Sequence, residues 1–122
     1  MPIFGQPIYH EDDKEGLRIF LHQPSAEAGK INAEQLGLQI TDTMSWQTDE
    51  TWVGKVINLM WAESSNPLRL VGITWMEKNL AGNLNASRWT ALTQLYCDNN
   101  QLTSLNLTGT RHLKNYPVAI IY

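Results

Sequence analysis

Hydrophobic and polar positions alternate with two different rhythms along this chain. In Glu11–Gln23 (EDDKEGLRIFLHQ), Leu17, Phe20 and Leu21 fall at i, i+3 and i+4, the spacing of one helical face. The leading acids suit the positive end of a helix dipole, and Pro24 closes the segment. Asn32 is placed to cap a short helix over residues 33–39 (AEQLGLQ). Thr48 or Asp49 can cap a third helix running to about Asn58, with Trp52, Val53, Val56, Ile57 and Met60 as its apolar stripe. Residues 1–10, with Pro2, Gly5 and Pro7, read as an extended leader.

From residue 68 the helical rhythm lapses. Leu70, Ile73, Trp75 and Leu80 recur as Leu92, Leu95, Cys97 and Leu102, each pair 22 positions apart. Leu84 and Ala86 recur 21 positions on as Leu105 and Leu107, and Leu92, Leu95 and Cys97 recur as Leu113, Tyr116 and Val118. A period in the twenties with the pattern L-x-x-L-x-(L/C)-x-x-N-x-L is the mark of a leucine-rich repeat. In such a coil Leu92, Leu95 and Cys97 point inward from a short strand. Asn100 turns the corner with its amide satisfying backbone groups of the neighbouring coil, and Leu102, Leu105 and Leu107 fill the interior on the way back.

The stretch LTQLYCDNNQLTSLNLTG resembles the leucine-rich repeats of bacterial surface and secreted proteins, which often carry Cys at the strand position held by Cys97. The likeness covers about residues 68–118. Lys78 stands where a turn Asn is expected, Trp75 where Cys or Leu is, and Ile121 where a third Asn would be, as in terminal coils. Upstream, the order of helix, tryptophan-rich segment and KNLAGNL resembles the N-terminal caps of plant-type repeat proteins, without their disulfide pair. The resemblance implies an α/β fold: a short leucine-rich-repeat solenoid of about two and a half coils with parallel strands. Its expected parts are an extended leader over 1–10, a helical, Trp-rich cap over 11–67 and repeats over 68–122, with cap and repeats one cooperative unit.

Composition narrows the function classes. The net charge is −3 and the nine Lys and Arg are scattered, which excludes an electrostatic footprint for nucleic acid. No apolar run approaches the roughly 18 residues of a membrane span. The segment MPIFGQPIYHEDD lacks the basic-then-apolar order of a signal peptide, so a secreted parent is expected to have lost its leader. Cys97 is the only thiol, and a strand position predicts a buried, inert one. His10, His22 and His112 have no metal-ligand spacing, and no Gly-rich phosphate loop occurs. Asp12-Asp13 and Asp49-Glu50 sit at predicted helix starts, where acids stabilise without function. The triplets Asn85-Ala86-Ser87 and Asn106-Leu107-Thr108 read as coincidental sequons. No catalytic residue, metal or cofactor is expected.

Residues alternating with the inward set define a strand face. They are Gly72, Thr74 and Met76 in the first strand, Gln94, Tyr96 and Asp98 in the second, and Asn115, Pro117 and Ala119 in the third. Thr74, Met76, Gln94, Tyr96 and Asp98 form the expected binding patch. The expected function is a non-enzymatic protein-interaction module of a bacterial surface or secreted protein, located outside the cell or on its surface. One alternative is a carbohydrate-binding module that stacks sugars on the tryptophans (three of them at 46, 52 and 61) and Tyr96. Another is a purely structural cap of a longer array. Val118, Ile120 and Ile121, with Pro117, suggest an edge strand through which two copies would pair.

Overall fold

A computed structural model describes residues 7–110. The expected third strand, with Leu113, the Asn115–Ala119 face and the homodimer edge at 118–121, lies outside the described residues, as do His112 and residues 1–6 of the leader.

Helix α1 (Glu11–Leu21) starts where the acids predict. His10 caps it: its Nδ1 accepts from the Asp12 N–H at 3.2 Å. Leu17, Phe20 and Leu21 are fully buried. Gly16 looks like a helix weakener in sequence, yet a Cβ there would sit 2.6 Å from Trp89 Nε1. The missing side chain lets that indole lie on the helix and donate to the Asp13 carbonyl at 3.1 Å. Asp13, itself buried, accepts from the Leu70 N–H and from Arg69 Nε, both at 2.9 Å. The helix is thereby pinned to the strand that follows Leu68.

Helix α2 spans only Asn32–Gln35, shorter than the expected 33–39. Gly37, at φ +100°, ends this stretch, and a Cβ there would meet the Lys55 carbonyl at 2.9 Å. Asn32 is not a cap but a buried bridge. Its Nδ2 donates to the carbonyls of Phe20 (3.1 Å) and Ala81 (2.9 Å), and its Oδ1 accepts from the Ala81 N–H at 3.1 Å.

The third expected helix, to about Asn58, does not form. Residues 49–58 hold turns and one 3₁₀ turn, Val53–Lys55, followed by extended Val56 and by Asn58 at φ +60°. The stripe has helical spacing, but Val53, Val56 and Ile57 are β-branched and Gly54 interrupts them, so local propensity is weak. The chain instead enters strand β1 (Leu59–Ala62).

Strands β2 (Arg69–Thr74), β3 (Ala81–Asn85), β4 (Gln94–Tyr96) and β5 (Gln101–Asn106) complete two sheets. One is three-stranded and mixed, in the order β1-β2-β4; the other is the parallel pair β3-β5. In the mixed sheet Gly72, Ile73 and Thr74 lie opposite Gln94, Leu95 and Tyr96, so the 22-residue interval is a strand register. The expected leucine-rich-repeat solenoid is overturned by this topology: the fold is a small α/β domain with two sheets of few strands. The interval is realised as single parallel pairs, and β2 uses its other edge to pair antiparallel with β1, a strand from the segment expected to be a helical cap. A coil stacked only on its neighbours would leave that edge to another parallel coil.

One buried cluster draws on both sides of the expected boundary at residue 68. Phe20 stacks on Trp75 at 5.5 Å, and Trp46 meets Trp52 edge-on at 5.6 Å. Leu70, Ile73, Trp75, Leu80, Leu92, Leu95, Cys97, Asn100 and Leu102 are buried, while Leu105 and Leu107 pack at its margin. The corner after β4 is held by Asn100. Its Oδ1 accepts from the N–H groups of Lys78 (2.9 Å) and Leu80 (3.1 Å), and its Nδ2 donates to the carbonyls of Trp75 (2.6 Å) and Cys97 (3.0 Å).

Candidate functional site

The open face of the mixed sheet carries the residues singled out by alternation. Thr74 and Tyr96 are register partners across β2 and β4, and Gln94 lies opposite Gly72. Thr74 is exposed, and Gln94, Tyr96 and Asp98 are half-buried. Met76 follows the end of β2 and is 40% exposed. The next residue, Glu77, at φ +55°, donates its N–H to the Asp98 carbonyl at 3.1 Å, which draws the two strand ends together. Thr74, Gln94 and Tyr96 thus share one face of the sheet, and Met76 and Asp98 flank its end.

Met60 was missed by sequence reasoning. On the helical reading it belongs to a buried stripe; on β1 it is 55% exposed and opposite Gly72. A Cβ on Gly72 would lie 3.1 Å from Met60 Cβ, so the glycine makes room for the methionine to lie across β2. The result is a groove of about 350 Å³ lined by Asn58, Leu59, Met60, Gly72, Thr74 and Gln94. The signal that could have found it is the β-branched run before Met60, which argues against a helix.

Burial, helped by the charge of Asp98, pushes the Cys97 thiol up to about 11, so it is protonated and enclosed at neutral pH. His10 serves as a helix cap and His22 packs against Trp46 at 5.6 Å. Among the described residues no three His, Cys, Asp or Glu side chains gather as a metal site, and no helix is long and apolar enough to cross a membrane.

Four of the five tryptophans are committed to packing. Trp52, Trp75 and Trp89 are at most 1% exposed and Trp46 is 7% exposed. Trp61, half-buried, has the Tyr9 ring against it at 4.6 Å. A sugar-stacking platform needs an open indole face, and the four buried rings offer none.

No protein-family model matches the chain, and no curated protein or solved structure is significantly similar to it.

Proposed function

We propose that this domain is a non-enzymatic protein-interaction module that docks a protein partner on the open face of the β1-β2-β4 sheet. The observation that carries the reading is the pair of exposed thioethers, Met60 and Met76, on a face that also holds Tyr96 and a groove over Gly72. Met and Tyr are enriched in interface cores, where a few such anchors supply most of the binding energy. Thr74, Gln94 and Asp98 supply the polar rim that fixes orientation. The setting, a bacterial surface or secreted protein, belongs to the same proposal and rests on the likeness carried by residues 92–109 alone.

The test is affinity capture with site-specific photo-crosslinking. A photo-reactive residue replaces Met60, Met76 or, as a control, Met44, which is 82% exposed and outside these strands. The expected result is one protein crosslinked from positions 60 and 76 and not from 44, with the crosslink from position 76 lost when Met60→Ser and Tyr96→Ala are added at unchanged circular dichroism. Equal crosslinking from all three positions, or capture indifferent to the double substitution, refutes the sheet face as the docking surface.

A further inference from the structure

A second concavity lies away from the sheet face. It is an open-sided cleft of about 640 Å³, within the size range of small-molecule sites. One segment lines it with Ile8 and Tyr9, another with Asp49, Glu50 and Thr51. Tyr9 is held at both ends: its backbone makes a single parallel bridge with Leu68, and its ring rests against Trp61. A Cβ on Gly54 would be 3.6 Å from the Tyr9 hydroxyl, so the phenol reaches across to the loop that carries the acids. Ile8 is 47% exposed, an aliphatic surface left open at the cleft.

The charge of this region is predominantly negative. Lys14 is buried, and its ammonium is shared between Glu11 and Glu50. Burial pulls its pKa down, but those two carboxylates outweigh that and hold it above the ordinary lysine value, so it stays charged. Asp49 accepts the Thr51 N–H at 2.8 Å and makes no direct ion pair among the described residues, the nearest cationic influence being the longer-range charge of Lys55, which is itself paired with Asp42. Glu11, Glu50 and Asp49 therefore outnumber the Lys14 ammonium, Lys55 being balanced by Asp42, and among the described residues no Lys, Arg or His lines the cleft. Burial, and then the negative charge of Glu50, raise the Tyr9 phenol above its ordinary value, in keeping with a negative potential there.

An apolar wall beside an excess of negative charge selects a ligand of matching form. We propose that this cleft binds a primary ammonium carried on an apolar stem, the stem against Ile8 and Tyr9 and the ammonium toward Asp49 and Glu50. A free alkyl- or arylalkylamine and a lysine side chain share that chemistry. The proposal is independent of the sheet-face reading, because none of its residues lies on β1, β2 or β4.

The experiment is an amide chemical-shift titration of the full chain with three probes: 2-phenylethylammonium, neutral 2-phenylethanol and Nα-acetyl-lysine amide. The expected result is saturable shifts at Tyr9, Thr51 and Gly54 with the ammonium, and binding roughly tenfold weaker with the alcohol. Asp49→Asn keeps an acceptor for the Thr51 N–H and should weaken the ammonium several-fold, and 0.5 M salt should do the same. The stronger of the two amine probes tells a small amine from a lysyl partner. Equal binding of the alcohol, no saturable shift at those three amides, or indifference to Asp49→Asn overturns the proposal.

Discussion

Asn100→Ala tests the corner that joins the two sheets. The Asn100 side chain is 4% exposed and makes four backbone hydrogen bonds of 3.1 Å or less, two accepted and two donated. Truncation strands the N–H groups of Lys78 and Leu80 and the carbonyls of Trp75 and Cys97. Three of these four contacts are fully buried and the Lys78 contact is partly so. An unsatisfied buried group costs about 1–3 kcal/mol. Water entering the vacated space can restore about two of the bonds, which sets the expected loss at about 2–5 kcal/mol. That is a large share of the roughly 6–18 kcal/mol a chain of this length has in total. Asn100→Asp should not rescue it, because the carboxylate keeps both acceptors but turns an oxygen toward the carbonyls of Trp75 and Cys97. Asn99→Gly is the control, since Asn99 is exposed and sits at φ +60°, where glycine is unstrained. The assay is urea unfolding by fluorescence and circular dichroism, compared at constant m-value. A loss under 1 kcal/mol for Asn100→Ala, or an equal loss for Asn99→Gly, would show that the corner is held by something other than this amide.

Three further outcomes are expected. Gly16→Ala should destabilise by about 1–3 kcal/mol despite the better helix propensity of alanine, because Trp89 must move; a stabilised variant with unchanged tryptophan emission would contradict this. Cys97 should make stability fall at alkaline pH. Its folded pKa, about 11, exceeds the ordinary 9.0, so its contribution is whole below pH 9 and is lost as pH rises from about 9 to about 11. Unfolding midpoints of wild type and Cys97→Ala should therefore converge over that window, and parallel curves would refute it. Gln23→Ala should raise hydrogen exchange at the Asn83 amide, whose N–H donates to Gln23 Oε1 at 2.8 Å, while leaving the Leu84 amide protected; unchanged exchange at Asn83 would mean that the side chain is not its acceptor in solution.

The chain's own pattern announces some of this fold and hides the rest. The stripe of Leu17, Phe20 and Leu21 behind a run of acids marks α1 because the periodicity and the end charges agree. The 22-residue interval marks the register of β2 on β4, since paired strands bury equivalent positions. It does not say how many strands pair, nor what lies on the opposite edge of β2. There the Trp52–Met60 stripe misleads: its spacing is helical, but its β-branched residues and Gly54 let tertiary contacts take it as a turn and a strand. That difference moves Met60 from the core to the open face. Asn32 shows a second limit. A cap and a buried bridge both satisfy backbone groups with one amide, and whether those groups are local or 49 residues away is a tertiary fact. The cleft is hidden for the same reason, because Tyr9 and Glu50 are brought together only by folding.

The way the sheet edges are closed bears on how a partner can engage. The outer edge of β3 is occupied by two side-chain amides: Asn32 pairs with both backbone groups of Ala81, and Gln23 with both of Asn83. Each mimics a neighbouring strand with one donor and one acceptor, so that edge offers no free ladder to an incoming chain. Strand β1 is four residues long, and its register with β2 shifts between Met60 and Trp61, which breaks the even spacing that strand addition requires. Recognition is therefore expected to run through side chains on the sheet face rather than through backbone pairing at these edges. The anchors proposed for that face are methionines, which are flexible and polarizable and can settle into pockets of different shape. Such a surface tolerates Met60→Leu better than Met60→Ser, because the first keeps apolar volume over Gly72 and the second leaves the groove without a wall.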